Sequence, residues 1–239
     1  MIPTWVTVIA WISILLGLTS SLIIIRDVRQ RPQPMKIMNW VWPLCALFGH
    51  LLLAWFYFRY GRANPEHQHQ HQHQHQHDST PSLVQVIKGA LHCGSGCTLG
   101  DIIAESLAFL LPSLAILFGW HWLFADKIFA VWGLDFVIAF ALGIIFQYFA
   151  IKPMRDISRR QAIFEALKAD FLSLTAWQVG MYGFMAFAHF YLFAQVLNTP
   201  LQVTSVSFWW MMQLAMLCGL VTAIPVNYVL IRQGIKEAM

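Results

Sequence analysis

The sequence predicts an all-α polytopic membrane protein. Of its 239 residues, 58% are hydrophobic and only 11% are charged. The apolar residues gather in runs of about 20, the length of helix that crosses the hydrocarbon core of a bilayer. Tryptophans such as Trp5, Trp40 and Trp209 lie near the ends of these runs, where the indole ring favours the headgroup zone of the bilayer. The first run is too long for a removable signal peptide and is expected to remain as a membrane helix.

Six runs are predicted to span the membrane. They are Trp5–Ile25, Asn39–Phe58, Leu99–Phe118, Ile128–Ile151, Phe171–Leu197 and Val203–Leu230. The first two form an N-terminal membrane part over residues 1–60, and the last four form a helical bundle within residues 82–239. Between them, residues 61–81 have no side chains that could build a core, which predicts a disordered linker. Basic and apolar residues mix near 154–168 and predict an amphipathic helix on the membrane surface.

The distribution of Lys and Arg tests how the chain threads the bilayer. With six spans and a cytoplasmic N-terminus, ten of the fifteen basic residues face the cytoplasm, which favours both termini inside. A re-entrant third run, interrupted by Gly100 and Pro112, would instead make the first and fourth loops both cytoplasmic.

The formal net charge of +4 arises from these short loops, so nucleic acid is not an expected partner. The expected surroundings are a lipid bilayer.

The linker carries six histidines that alternate with glutamine. In an extended chain all six imidazoles project to one side, where neutral nitrogens bind zinc, copper or nickel loosely. The tract is therefore either a scavenger of metal ions or a polar linker with incidental affinity, and its composition leaves both interpretations open. These histidines are His67, His69, His71, His73, His75 and His77.

The stretch "LHCGSGCTLGD" begins a series of polar residues spaced four apart, namely Cys93, Cys97, Asp101 and Glu105. If a helix begins well before this stretch, all four side chains share one face. If Thr98 is instead the N-cap, the cysteines lie in a glycine loop at the helix N-terminus, where the dipole favours thiolate. The glycines favour the second arrangement.

These residue types predict a metal site. Two thiolates suit a soft ion such as Cu(I), and His92 can add a nitrogen ligand, while the carboxylates are hard ligands or proton carriers. A carboxylate inside a span costs about 2.5–3.5 kcal/mol, so function is the default explanation, although capping would account for Asp101. The predicted ligands are His92, Cys93, Cys97, Asp101 and Glu105, and the predicted cofactor is a transition metal ion, with Cu favoured and Zn also suitable. For the cysteine pair, a plain tight turn or a structural disulfide is the alternative.

Further polar residues interrupt the apolar runs and are expected to form a polar path. Ionisable side chains in membranes usually face the bundle interior and pair with one another, and Asp135 with His189 is the expected pair. The members of this path are His50, Asp135, Asp170, Gln178, His189 and Asn227.

The predicted function is binding, and by extension transport, of a thiophilic metal ion. No nucleotide-binding motif is present and no catalytic residue is assigned, so active transport would have to run on an ion gradient or an external partner. A metal chaperone and a second copy of the chain are the expected protein partners. Two other hypotheses remain open at this stage. One is a membrane thiol-disulfide redox protein that uses Cys93 and Cys97, and the other is a non-catalytic membrane scaffold.

Three stretches in order, "LHCGSGCTLGDIIAE", "LKADFLSLTAWQVGMYG" and "IPVNYVLIRQGIKEAM", resemble the bacterial and archaeal membrane proteins grouped as domain of unknown function 4396. The resemblance covers Ser82 to Met239, so the first two spans and the histidine linker look like an addition. It implies a multi-pass protein of the bacterial inner (cytoplasmic) membrane and no particular activity. By resemblance a shared site includes His92, Cys93, Cys97, Asp101, Glu105, Asp170 and Asn227.

Overall fold

The computed structural model describes residues 2–63, 80–152 and 158–236. The histidine tract and most of the predicted linker lie outside these residues. The helices are α1 (Thr4–Gln30), α2 (Met38–Phe56), α3 (Leu83–Leu110), α4 (Pro112–Leu117), α5 (Lys127–Ile151), α6 (Arg159–Ala186) and α7 (Val206–Arg232). Two π-helical segments, Tyr57–Gly61 and Phe187–Val196, continue α2 and α6.

The predicted class is confirmed, because the described residues form an all-α polytopic membrane protein. Five helical segments within them are long and apolar enough to cross a bilayer. They are Thr4–Gln30, Met38–Gly61, Lys127–Ile151, Arg159–Val196 and Val206–Arg232.

The segment Met38–Gly61 has the length of a span but turns back on itself. His50 interrupts it with φ 47° and ψ −132°. The rings of Trp42 and Tyr57 are 5.4 Å apart, whereas a straight helix would separate these residues by about 22 Å. Residues 38–61 therefore form a re-entrant hairpin of two half-helices, and the prediction of a full second span over Asn39–Phe58 is wrong.

Close packing at two glycines accommodates the tip of the re-entrant hairpin. A Cβ atom on Gly17 of α1 would lie 2.4 Å from the carbonyl oxygen of Leu47. A Cβ atom on Gly49 would lie 2.1 Å from a side-chain carbon of Leu53, just beyond the turn. Gly17 therefore lets the tip lie against α1, and Gly49 lets the two half-helices meet closely at the turn.

Helix α3 begins much earlier than predicted. Ser82 and Gln85 form a capping box at its start, and the helix continues through the glycine-rich stretch to Leu110. Thr98 is not an N-cap, because its hydroxyl donates to the carbonyl of Gly94 within the helix, at 2.8 Å. The predicted third span over Leu99–Phe118 is wrong, and so is its re-entrant alternative. The helix ends before Pro112, as the restriction on the residue preceding proline requires.

The glycines in α3 serve helix packing rather than a loop. A Cβ atom on Gly100 would lie 2.8 Å from the Cα of Ala139 in α5, and one on Gly96 would lie 3.1 Å from the nitrogen of Gly143. Small residues four apart let the backbones of two membrane helices approach closely. The GxxxG spacing of Gly96 and Gly100 therefore joins α3 to α5.

Residues near 154–168 were predicted to form a surface amphipathic helix. Residues 159–168 are instead the first turns of α6, which begins at a capping box of Ser158 and Gln161 and runs unbroken to Ala186. Ala162 and Ala166 are buried, whereas Phe164 is exposed. Residues 153–157 lie outside the described part of the chain.

Helix α3 lies at the centre of the fold. It packs against α2, α5, α6 and α7, while α1 packs against α2 and α7. Because its neighbours shield α3 from lipid, it tolerates polar residues that an outer membrane helix could not carry. The contacts between helices show their directions. Cys93 of α3 contacts Asp170 of α6, and Asp101, two turns further along α3, is connected through Asp135 to Tyr182, which is further along α6, so the two helices run parallel. Helices α5 and α7 run in the opposite direction.

The bundle has one strongly basic end. Here α1, α5 and α7 finish, α3 and α6 begin, and the re-entrant hairpin enters and leaves. The described residues include fourteen of the Lys and Arg residues, and Arg155 lies outside them. Thirteen of these fourteen lie at the basic end or within about three helical turns of it. Lys127 lies at the opposite end. The prediction of both termini on one side is wrong. Among the described residues the hairpin returns to the end from which it enters, and the five helices that cross between the two ends are α1, α3, α5, α6 and α7.

Candidate functional site

The four polar residues Cys93, Cys97, Asp101 and Glu105 lie on one buried face of α3, which we call the α3 ladder. Their exposed fractions are 0%, 0%, 2% and 9%. Each lies about one turn from the next, so the ladder extends for about 18 Å along a hydrocarbon core that is about 30 Å thick. Helix α3 packs here against α5, α6 and α7. Because α3 begins well before Cys93, these four side chains share one helix face, which is the first of the two arrangements that the sequence left open.

At the basic end, Cys93 lies in a dense polar cluster. Its Sγ donates to Asp170 Oδ1 at 3.0 Å and lies 3.0 Å from the hydroxyl of Ser173. Asn227 of α7 donates to the same hydroxyl at 2.7 Å. The cluster thus joins α3, α6 and α7 through groups with no exposure to solvent.

A lysine from the end of the chain enters this cluster. Lys236 Nζ donates to Cys93 Sγ at 2.9 Å, to Gly89 O at 3.1 Å and to Asp170 Oδ1 at 3.2 Å. The Lys236 and Asp170 side chains are both completely buried. Burial by itself lowers the pKa of Lys236, but Cys93 and Asp170 raise it by more, so the net pKa lies above its usual value and the ammonium is retained.

In the middle of the ladder, Asp101 faces Asp135 of α5. The two carboxyl groups interact directly. Asp135 Oδ2 accepts hydrogen bonds from the Tyr182 hydroxyl at 2.7 Å and from Gln178 Nε2 at 3.4 Å. Asp101 Oδ2 and Asp135 Oδ1 receive no hydrogen bond from any donor in the described residues. Buried carboxyl oxygens that lack donors, on two side chains that interact, favour a shared proton or a bound cation.

The last ladder residue, Glu105, lines a cavity of 320 Å³ at the opposite end of the bundle, which we call the Glu105 cavity. Asp126, Lys127 and His189 also line it. His189 Nε2 lies 3.5 Å from Asp126 Oδ2. The predicted pair of Asp135 with His189 is therefore wrong, since Tyr182 and Gln178 occupy the positions opposite Asp135.

A second cavity of 470 Å³ lies between α1, the re-entrant hairpin, α3 and α7, and we call it the hairpin-tip cavity. Thr98 and Asp101 contribute its polar wall on α3. In many transporters, broken helices end at a cavity near the middle of the membrane, where irregular backbone lines space instead of lipid. The hairpin-tip cavity has the same arrangement and reaches the middle of the α3 ladder.

A small hydrogen-bond network holds the hairpin tip. Ser13 Oγ lies 3.2 Å from His50 Nε2 and donates to Gln213 Oε1 at 2.8 Å. Gln213 Nε2 in turn donates to the carbonyl of Leu47 at 2.6 Å, which satisfies an acceptor freed by the broken helix. His50 therefore belongs to the hairpin tip and not to the α3 ladder.

The predicted metal ligands are arranged along a line and do not form one centre. No group of three His, Cys, Asp or Glu side chains suited to one metal ion occurs within residues 2–63, 80–152 and 158–236. His92 turns toward α5, where its ring lies 6.4 Å from that of Phe146. Both ladder cysteines are free thiols, which excludes the structural disulfide in this state. Of the predicted polar path, Asp135, Asp170, Gln178 and Asn227 join the ladder.

Sequence reasoning missed three polar partners of the ladder, which are Lys236, Ser173 and Tyr182. Lys236 was counted only as a topology charge, although "GIKEAM" follows the last apolar run closely enough to fold back on it. Ser173 and Tyr182 are common residue types in apolar helices. For Ser173, a usable signal was its spacing, since Asp170, Ser173, Trp177 and Gln178 recur on one face of α6.

The fold and the ladder define a class of protein, a polytopic all-α membrane protein with a row of buried polar groups along its central helix. Residues 83–236 match the family described as domain of unknown function (DUF4396), and the chain belongs to this family. The match begins at the first residue of α3 and ends at Lys236, so it contains the whole ladder and its partners. No curated protein and no solved structure shows significant similarity to the chain.

Proposed function

We propose that the protein transports a thiophilic metal ion across the membrane along the α3 ladder, with Cu(I) as the favoured cargo and Zn²⁺ as the second choice. The observation that carries the proposal is the even spacing of Cys93, Cys97, Asp101 and Glu105 on one buried face of a central helix. Buried ionisable groups inside a membrane bundle are costly and mark ion pathways. Each of these side chains offers a sulfur or oxygen ligand.

The chemistry of the ladder changes along its length in a way that suits transfer. Soft thiol ligands at the basic end select a soft ion, and the carboxylates further along bind it less tightly. A pathway needs sites that are favourable enough to enter and weak enough to leave. A series of one- or two-ligand sites meets this requirement better than a closed centre of three or four ligands, which would retain its ion.

The charge distribution supports a cytoplasmic loading end. Basic residues concentrate on the cytoplasmic side of membrane proteins, and thirteen of the fourteen described here adjoin the basic end. The cytoplasm also keeps thiols reduced and competent to bind metal. The described residues on both sides of the histidine tract, at the end of the hairpin and at the start of α3, lie at this same end. The proposed direction is export, with ions arriving from the tract or from a soluble metal chaperone.

The first test is metal content. Full-length protein in which the six tract histidines are replaced by glutamine is purified without metal-affinity resin, loaded with Cu(I) and measured by mass spectrometry. We expect about one copper per chain in this background and its loss in Cys93→Ser/Cys97→Ser. Cys218→Ser is the matched control, because this free cysteine lies on α7 and makes no contact with the ladder polar groups. Copper that survives the double substitution, or the absence of copper throughout, would contradict the proposal.

A transport assay then separates passage from storage. In proteoliposomes that contain a Cu(I)-sensitive dye, Glu105→Gln should slow copper movement severalfold without changing copper binding at the thiols, because it alters only the opposite end of the ladder. Glu165→Gln is the control, since this half-buried carboxylate lies in the first turns of α6, at the other end of the bundle from Glu105. Equal rates for the wild type and Glu105→Gln would argue for storage.

A further inference from the structure

Three acceptors of different chemistry converge on the ammonium of Lys236. They are the sulfur of Cys93 at 2.9 Å, the carbonyl oxygen of Gly89 at 3.1 Å and a carboxylate oxygen of Asp170 at 3.2 Å. An ammonium is a compact cation that such acceptors surround, as ligands surround a metal ion. In structural terms, Lys236 places a tethered cation among ligands that a free cation would use.

Two further acceptors nearby have no donor. Asp170 Oδ2 and Asn227 Oδ1 are buried and receive no hydrogen bond from the described residues. Asn227 Oδ1 and Lys236 Cε lie 3.7 Å and 3.8 Å from the position of a Cβ on Gly89, so both line the same small space. The cluster therefore has more acceptor capacity than the three N–H groups of one ammonium satisfy.

We propose that this cluster is a site for a soft monovalent cation, with ligands from Gly89 O, Cys93, Asp170 and Asn227. In the present state the ammonium of Lys236 occupies the site. We call it the Lys236 pocket. The inference rests on the proposed function and assigns a ligand exchange to its loading end. Binding of Cu(I) or Ag(I) displaces Lys236 into solvent, and loss of the ion lets Lys236 return.

The balance of charge supports an exchange in which one cation replaces the other. The pocket contains a single charged acceptor, the Asp170 carboxylate, and Lys236 balances it. A second positive charge added beside a buried ammonium would lack a counter-charge and would be repelled. When the ion binds, the Cys93 thiol passes its proton to the Asp170 oxygen that it already contacts at 3.0 Å, and the ion binds the resulting thiolate. The ion, the thiolate and the protonated Asp170 then have no net charge, as the ammonium and the Asp170 carboxylate have none now, which disfavours simultaneous occupancy.

The chain geometry allows Lys236 to leave without disturbing the bundle. Helix α7 ends at Arg232, and Lys236 reaches the pocket through a short turn. Gly234 in this turn has φ +68° and no neighbouring atom within 4 Å of its Cβ position. Backbone bonds from Gly234 N to Ile231 O and from Ile235 N to Leu230 O close the turn. Opening these few bonds releases Lys236 while α7 stays in place.

Amine footprinting on the otherwise wild-type chain, with the tract histidines replaced by glutamine, tests the displacement directly. The protein in detergent is treated with a water-soluble acetylating ester, with and without one equivalent of Ag(I), and acetylation of each lysine is read by peptide mass spectrometry. Lys236 is 2% exposed as a residue and should react at least tenfold more slowly than exposed Lys36 without silver. With bound silver its rate should rise at least fivefold, while that of Lys36 stays unchanged.

Silver content is measured on the same samples, so that failure of the ligand exchange can be distinguished from failure of the proposed metal transport. Silver that is bound through Cys93 and Cys97 while Lys236 stays protected would overturn the exchange and leave the proposed transport intact. If silver does not bind in a cysteine-dependent manner, both ideas fail. Fast acetylation of Lys236 without silver would also overturn the exchange, since the site would then not be held by the lysine.

Affinity measurements on variants give a second, independent test. Lys236→Gln removes the competing cation and should raise the affinity for Ag(I) at least tenfold, whereas Lys236→Arg keeps the charge and should not. Should Lys236→Gln fail to fold because Asp170 loses its partner, the neutral pair Lys236→Gln/Asp170→Asn replaces it and is compared with Asp170→Asn alone. The pair should bind silver at least tenfold more tightly than Asp170→Asn, because both lack the carboxylate and only the single variant keeps the competing ammonium. Equal affinity of wild type and Lys236→Gln, or of the two variants that carry Asp170→Asn, would refute the competition.

Discussion

The same substitution at two glycines of α3 should have clearly different effects on stability. A Cβ on Gly100 would meet the Cα of Ala139 at 2.8 Å and its nitrogen at 3.0 Å, whereas ordinary carbon contacts are about 3.5–4.0 Å. Helices α3 and α5 must then separate by about 0.7 Å, and overpacking of this kind costs about 1–3 kcal/mol. At Gly89 the nearest atom is 3.5 Å away, so alanine fits. Both changes gain about 1 kcal/mol of helix propensity, which cancels in the comparison.

We therefore expect Gly100→Ala to be about 1–3 kcal/mol less stable than Gly89→Ala. Unfolding in mixed micelles with increasing SDS, followed by the fluorescence of the eleven tryptophans, measures this difference. Separation of the helices also draws Asp101 away from Asp135, so Gly100→Ala should slow metal transport. Equal stability of the two variants would refute the close packing of α3 on α5 and with it the geometry of the ladder.

Three further outcomes follow from the structure. Tyr182→Phe removes the donor 2.7 Å from Asp135 and should lower the free energy of unfolding by about 1–3 kcal/mol in the same assay; an unchanged value would exclude this hydrogen bond. The two ladder thiols have no exposed surface and should react with maleimide only after SDS is added, and rapid native labelling would instead favour the redox hypothesis. Cysteines introduced at Gln33 and Ala63 should label from the same membrane face, and one at His121 from the other; opposite labelling of the first two would exclude the re-entrant hairpin.

The spacing of the ladder could be read from the sequence, but its surroundings could not. Four polar residues four apart predict a shared helix face as soon as the helix is known to begin before Cys93. The capping box of Ser82 and Gln85 carried that information. It was overlooked because span prediction uses hydropathy, which reports contact with lipid. Helix α3 is enclosed by other helices, so its sequence did not need to be as apolar as that of a lipid-facing span.

Other misplacements have local conformational causes. An apolar run of about 20 residues suits one span or two half-helices equally, and the left-handed backbone of His50 selects the second. The wrong pairing of His189 arises from its position along the helix axis. Tyr182 of α6 lies opposite Asp135, whereas His189 lies seven residues further along, level with Asp126.

The two ends of the ladder differ in how accessible their side chains are. Within the proposed transport, this difference indicates which step of the cycle the structure represents. At the basic end the thiol of Cys93 is completely buried and Lys236 holds the neighbouring acceptors. At the opposite end Glu105 lines a 320 Å³ cavity beside Lys127, and Asp101 reaches the hairpin-tip cavity. Alternating access requires that a pathway be closed at one end while it is open at the other. Under the proposed export, with loading at the basic end, the present arrangement corresponds to the state after release, in which the returned lysine would prevent the ion from flowing back.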